Sequence, residues 1–195
     1  IVHFGSSLEL AVFGVINRVL TICHMPVFGL VQGLQPVLGF NYGARLGARA
    51  VRAVILSMSA ATVITSLAFV MGMAVPEPVL SLFSRDPRLL AAGPPIFRII
   101  TAAMLFVGAQ ITGASIFQTL GRARLAFLLS VSRQVLFVIP LVLLLPGIME
   151  NPLIGVWSAF PLADFLSFVV TGTFLVREIG RLRRIAPALP PTAAC

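Results

Sequence analysis

Charged side chains are scarce in this sequence, and acidic ones are the scarcest. Of its 195 residues only 10% are charged, with 6 acidic and 14 basic side chains, while 58% are hydrophobic. The mean hydropathy is +1.05. Because soluble domains carry about 25% charged residues, this composition excludes an ordinary water-soluble domain and indicates a membrane protein.

The sequence motifs of enzymes and metal sites are also missing. Cys23 falls within a hydrophobic run and Cys195 ends the chain, so we expect no disulfide between them. No C-x-x-C, H-E-x-x-H, G-x-G-x-x-G, Walker or nucleophile-elbow pattern occurs. Asp86, His24 and Asp164 are too scattered to form a catalytic site. We therefore expect neither an enzyme, nor a metal site, nor a cofactor.

Long uncharged runs are what the sequence has instead. Residues 53–75 and 99–120 contain no charged side chain. As helices rising 1.5 Å per residue, both runs are long enough to cross a hydrocarbon core about 30 Å thick. The full pattern predicts an all-α polytopic protein with five spans and a disordered cytoplasmic tail at 185–195. We place the spans at about 8–41, 53–75, 97–119, 125–146 and 153–176.

The arginines, which are the whole basic complement, alternate between the two sides of these spans. Nine lie at the connections assigned to one side and only two, Arg85 and Arg88, on the other. This positive-inside pattern predicts a multi-pass protein of the cell membrane with a cytoplasmic C-terminus, and it explains the net charge of +8 without nucleic acid. With five spans the first residue would lie outside, and no signal peptide precedes it. We therefore expect further helices upstream, with a natural five-span protein as the alternative. The nine arginines are Arg45, Arg49, Arg52, Arg122, Arg124, Arg177, Arg181, Arg183 and Arg184.

The stretch 29–45, GLVQGLQPVLGFNYGAR, places amides and a proline inside an otherwise apolar span. Unpartnered amides are costly in lipid, so Gln32, Gln35 and Asn41 must face protein or a wet cavity. Pro36 removes a helical hydrogen bond. The stretch predicts a bent helix with a polar face on a central cavity. The alternative is that its glycines (Gly29, Gly33, Gly39 and Gly43) pack against neighbouring helices and the amides only hold those neighbours together.

Two charges, Arg133 and Asp164, lie deep inside the fourth and fifth spans. Reflecting Arg133 through the hairpin centre near Met149 and Glu150 reaches Leu166, within one turn of Asp164. An unpaired charge at the bilayer centre costs roughly 2.5–3.5 kcal/mol or more. We therefore predict an Arg133–Asp164 pair, or a shared wet pocket, serving either as a structural link or in proton coupling.

The stretch 29–45 also resembles the end of the eighth helix of multidrug and toxic compound extrusion (MATE) transporters, with its Q-G-x-Q-P and G-[FY]-N-[FY]-G-A pattern. SIFQTLGRAR (115–124), SRQVLFVIPLVLLLP (132–146) and GVWSAFPLADFLSFVV (155–170) resemble the family's tenth, eleventh and twelfth helices in order. The resemblance implies that residues 1–184 are a partial C-terminal lobe containing helices eight to twelve of twelve. IVHFGSS would end helix seven.

By this resemblance the whole protein would be a secondary active antiporter that exports cationic or amphiphilic drugs in exchange for Na⁺ or H⁺ by alternating access. Its partners would be the lipid bilayer, the small-molecule substrate and the missing N-terminal lobe, without which this chain should not transport. The substrate-cavity candidates are Gln32, Gln35, Pro36, Asn41 and Gln118. The alternatives are a lipid-linked substrate flippase of similar architecture and a non-transporting membrane scaffold.

The chain departs from one branch of the family in its third span. That branch takes cation-binding carboxylates from the seventh and tenth helices, whereas no acid occurs here between Arg98 and Gly121. We therefore expect the coupling ion to bind in the missing N-terminal lobe.

Overall fold

The computed structural model describes residues 7–149 and 151–185, a region that is helical and contains no strand. The predicted tail at 185–195, apart from Ile185, lies outside the described residues. So does the predicted end of an upstream helix at 1–7, apart from Ser7. The elements are α1 (Ser7–Gly43), α2 (Gly47–Ala74), α3 (Pro76–Ser81), α4 (Pro87–Thr101), α5 (Met104–Thr119), α6 (Ala123–Val131), a π-helical segment (Ser132–Val138), α7 (Ile139–Ile148) and α8 (Pro152–Arg183).

Four continuous helical stretches are long and apolar enough to cross a membrane: α1, α2, the unit Ala123–Ile148 and α8. Helices α4 and α5 form a fifth span if they are taken together, bent by 46° at the break between them. The predicted all-α membrane fold is therefore confirmed, with one span broken.

The helix ends differ from the predicted spans most where charges begin. Helix α2 starts at Gly47 rather than at 53, and α8 continues to Arg183 rather than ending at 176. A helix of 32 residues is about 48 Å long, which exceeds the hydrocarbon thickness. Hydrophobicity marks the part of a helix that lies within lipid, whereas the arginine-bearing turns beyond it remain helical.

Helix α4 begins at Pro87, ten residues before the predicted third span. The Asp86 carboxylate accepts a hydrogen bond of 2.9 Å from the Arg88 backbone N–H and caps the helix. Pro87 occupies the first turn, where its missing N–H has no helical partner to lose. Arg98 therefore lies in the last turn of α4 and does not open a span.

Helix α5 lies inside the bundle, packed against α1, α2, α6 and α8. Glycines permit its closest approaches: a Cβ on Gly108 would lie 2.7 Å from the Ala61 carbonyl oxygen of α2. A Cβ on Gly113 would lie 2.6 Å from Thr171 of α8. Small residues of this kind let membrane helices pack closely, which substitutes for the missing hydrophobic driving force.

The glycines of α1 do not have the predicted packing role in this chain. A Cβ on Gly29, Gly33 or Gly43 would meet no atom of the described residues within 4 Å, and one on Gly39 would make only ordinary contact with Thr119. Helix α1 also runs without interruption through Pro36. The break in the bundle lies instead between α4 and α5.

Candidate functional site

The largest cavity of the described chain, about 560 Å³, lies between α1, α5 and α6. Gln35, Gln118, Ser115 and Ser130 give it polar groups, and within the described ranges no charged side chain lines it. We call it the amide cavity after its two glutamines. Its remaining lining is apolar and partly aromatic: Phe28, Val31, Ile111, Ala114, Ala123, Ala126 and Phe127.

The five predicted cavity residues are divided by the structure. Gln35 and Gln118 meet in the amide cavity. Gln32 and Pro36 are exposed on α1 and do not line it. The Asn41 side-chain amide donates a 2.8 Å hydrogen bond to the Val37 carbonyl of its own helix. Only two of the five therefore face one cavity.

A smaller cavity of about 210 Å³ surrounds the two deep charges, and we call it the ion-pair cavity. The Arg133 Nε donates to the Asp164 Oδ1. The Asp164 side chain is only 3% exposed, whereas that of Arg133 is 39% exposed. The carboxylate is thus enclosed, and the guanidinium that neutralises it keeps access to the cavity. Asn17, Thr21, His24 and Gln134 supply the other polar groups.

The π-helical segment places Arg133 opposite α8. Pro140 follows the segment closely, and a proline within a helix loses one backbone hydrogen bond and clashes with the carbonyl four residues earlier. A wider π turn is one way for a helix to accommodate such a conflict, and π segments are frequent at functional sites. The two partners come from helices joined by the short connection at 149–151.

The two cavities lie end to end along the same helices. His24 and Phe28 are one turn apart on α1, and Val107 and Ile111 are one turn apart on α5; in each pair the first residue lines the ion-pair cavity and the second the amide cavity. The rings of His24 and Phe28 are in edge contact, with centroids 6.5 Å apart. One face of α1, α5 and the Ala123–Ile148 unit therefore forms a single groove with two chambers.

A second ion pair, Arg122–Glu178, was missed by the sequence analysis. Arg122 lies in the α5–α6 turn and donates to Glu178, which is buried on α8. The predicted end of the fifth span at 176 placed Glu178 outside the membrane helix. Helical spacing could have revealed it, because Asp164, Ser167, Thr171, Leu175 and Glu178 follow one another at intervals of three or four residues and all are buried.

The fold and the groove define a class: a polytopic helical membrane protein with a polar pathway between its helices. Residues 1–144 match the sequence profile of the MatE family. The chain therefore belongs to the MatE family, whose members are transporters rather than enzymes.

Three relatives illustrate the similarity. An FAD transporter of Shewanella oneidensis is 27% identical over 164 residues, which cover 84% of this chain and 36% of that protein. The MATE multidrug transporter DinF-BH, solved in complex with a rhodamine dye, is 40% identical with a TM-score of 0.78, over 90% of this chain and 39% of that one. An outward-facing MATE family transporter is 17% identical with a TM-score of 0.85, over 93% and 41%. The chain thus spans about two fifths of the length of its relatives.

Proposed function

We propose that this chain is one lobe of a secondary active antiporter that exports cationic or amphiphilic small molecules in exchange for Na⁺ or H⁺. The observation that carries the proposal is the amide cavity, in which two glutamines from distant helices face a largely apolar space. Concave sites with an apolar lining and a few convergent polar groups are typical of small-molecule binding. The DinF-BH relative, solved with its rhodamine ligand, supports the same type of cargo.

The chemistry of the cavity fits a planar amphiphile with hydrogen-bonding edges. Phe28 and Phe127 offer aromatic faces, on which a delocalised cation is stabilised through cation–π attraction. The Gln35 and Gln118 amides can donate to or accept from the edges of such a molecule. No carboxylate is needed to hold the cargo, which suits compounds with spread positive charge.

The same charges argue against a large anionic cargo such as that of the FAD transporter of Shewanella oneidensis. In the part of the groove that the structure describes, the lining contains one arginine, Arg133, and Asp164 already neutralises it. A dinucleotide carries two phosphate charges that would need basic partners. A neutral or cationic amphiphile is the better fit.

Coupling and orientation complete the proposal. Because α5 carries no acid, we propose that the carboxylates that bind the coupling ion belong to the other lobe, and that the two lobes alternate about the groove. The arginine distribution supports a cytoplasmic C-terminus.

The test uses the intact transporter in proteoliposomes with the same rhodamine dye as cargo and an imposed Na⁺ or H⁺ gradient. We expect gradient-driven movement of the dye, and a KM increased about fivefold by Gln35→Leu or Gln118→Leu, since one hydrogen bond contributes about 1 kcal/mol. Gln32→Leu is the matched control, because this amide lies on the same helix but outside the cavity. Transport indifferent to both gradients would contradict antiport, and equal effects of Gln32→Leu and Gln35→Leu would contradict the assigned cavity.

A further inference from the structure

A separate cavity of about 380 Å³ lies at the arginine-rich end of the bundle, away from the groove. Arg45, Arg49 and Arg183 line it together with Leu46, Gly47, Ala48 and Ile185. A second concavity of about 480 Å³ shares Arg45 and Ile185 with it. Across the residues placed by the structure, no acidic side chain lines either space. We call the first the arginine cavity.

Close packing of two helix ends brings the three arginines together. Gly47 begins α2 and lies against the end of α8, where a Cβ would be 2.2 Å from the Leu182 carbonyl oxygen. Any side chain at position 47 would therefore push the helices apart. The absence of that side chain allows Arg183, in the last turn of α8, to share a cavity with Arg49 in the first turn of α2.

Arg45 reaches the cavity from a backbone position that favours glycine. Its φ is +56°, in the left-handed region. The turn is closed by hydrogen bonds from Leu46 N–H to the Asn41 carbonyl (2.8 Å) and from Arg45 N–H to the Tyr42 carbonyl (3.1 Å). This is the arrangement that usually ends a helix with glycine. Here the chain carries an arginine at that position, which adds a third positive charge to the cavity.

The cluster of like charges lacks compensation within residues 7–149 and 151–185. None of the three arginines has a salt bridge there, since the two acidic partners of the nearby bundle, Asp164 and Glu178, pair with Arg133 and Arg122. The first turn of α2 contains no acid and no capping side chain. Its positive dipole end therefore adds to the field of the arginines. A bound anion would relieve this repulsion.

We propose that the arginine cavity binds the phosphate headgroup of an anionic phospholipid. Guanidinium groups bind phosphate oxygens in bidentate fashion. The cavity lies at the end of two membrane-spanning helices, at the level where headgroups are found, and Leu46 and Ile185 give it apolar walls for the glycerol and upper acyl carbons. Basic pockets between membrane helices are known to hold such headgroups.

The test measures lipid binding to the intact protein by native mass spectrometry and by the shift of its Tm in detergent. The probes are phosphatidylglycerol, phosphatidylcholine, inorganic phosphate and glycerol 3-phosphate. We expect phosphatidylglycerol to bind about tenfold more tightly than phosphatidylcholine, and the double variant Arg49→Gln/Arg183→Gln to lose about tenfold in affinity. The matched control Arg177→Gln/Arg181→Gln removes two exposed arginines of the same end that do not line the cavity, and it should lose less than about twofold.

A charge-preserving variant keeps the proposal testable if the Gln variant fails to fold. Arg49→Lys/Arg183→Lys retains the charge that sets topology but loses the bidentate geometry, so it should also weaken binding severalfold. Equal losses in the cavity and control variants would show diffuse attraction to basic residues and would overturn the proposal. Binding of inorganic phosphate as tight as that of phosphatidylglycerol would overturn the assignment to a lipid. Indifference to all probes would overturn the site itself.

Discussion

The two partners of the deep ion pair differ sharply in exposure. Asp164 is enclosed by α8 and its neighbours, while the Arg133 guanidinium opens onto a cavity. An unpaired charge costs more when it cannot reach water, because desolvation is then uncompensated. Removing one partner or the other should therefore have unequal effects.

We predict that Arg133→Leu destabilises the protein more than Asp164→Asn. The first leaves a buried carboxylate alone, at a cost of about 3–5 kcal/mol, whereas the second leaves a guanidinium that remains partly hydrated and should cost less. The double variant Arg133→Leu/Asp164→Leu should recover most of the loss. The measurement is the apparent free energy of unfolding in detergent, arranged as a double-mutant cycle.

The transport readout separates the two roles left open for this pair. If the pair is a structural link, Asp164→Asn lowers stability while transport keeps its pH dependence. Transport by Asp164→Asn that no longer responds to pH, in a protein of unchanged stability, would instead assign the pair to proton coupling.

The partnership of Arg133 with Asp164 follows from sequence because a hairpin forces residues at equal distance from its turn to lie at equal depth. The reflection reached Leu166, two positions beyond the actual partner. The π-helical segment explains the offset, since a wider turn holds more residues for the same length of helix. Nothing in the sequence except Pro140 pointed to that segment.

At the scale of elements, the broken third span shows what hydrophobic patterns cannot reveal. Ala102 and Ala103 interrupt the helix without a glycine or proline, and Ala102 keeps right-handed helical angles. The neighbouring Thr101 packs so closely on Gly72 of α2 that a Cβ there would lie 2.4 Å away. The break is therefore associated with packing between distant segments, which local sequence does not encode.

The close contact of α5 with α2 gives a prediction with a matched control. Gly108→Ala should lower stability by about 1–3 kcal/mol, because the new methyl group would meet the Ala61 carbonyl and the Thr65 hydroxyl. Gly180→Ala makes the same change inside α8 where no atom of the described residues lies within 4 Å. It should raise stability by up to about 1 kcal/mol through helix propensity. Thermal unfolding in detergent measures both, and an equal sign for the two variants would contradict the packing.

At the scale of the whole molecule, the groove depends on contacts that cross most of the chain. That the amides of the 29–45 stretch need protein or water was evident from their cost in lipid, but Gln35 and Gln118 are brought together only by the packing of α1 on α5. Neighbouring Gln32 has the same chemistry and lies outside the cavity. Sequence predicted the helices and their polar content, and the three-dimensional packing decided which polar groups share a space.

The groove should be wet while the outer surfaces of the bundle face lipid, and cysteine labelling can distinguish the two. In an intact protein whose Cys23 and Cys195 are replaced by serine, single cysteines at Asn17 and Gln35 probe the ion-pair and amide cavities. Leu56→Cys and Leu143→Cys are the controls, because these residues are 70% and 74% exposed on apolar helix surfaces and line neither cavity.

We expect a charged maleimide to label the two groove positions at least about tenfold faster than the controls in membranes, since the reactive thiolate forms only where water enters. After solubilisation in a denaturing detergent all four sites should react alike. The bound rhodamine dye should protect Gln35→Cys and leave Asn17→Cys accessible, because the smaller chamber holds too little space for a multi-ring dye. Equal labelling of groove and control positions in the membrane would mean that the amides do not line an aqueous path, and both the cavity assignment and the proposed transport route would then be wrong.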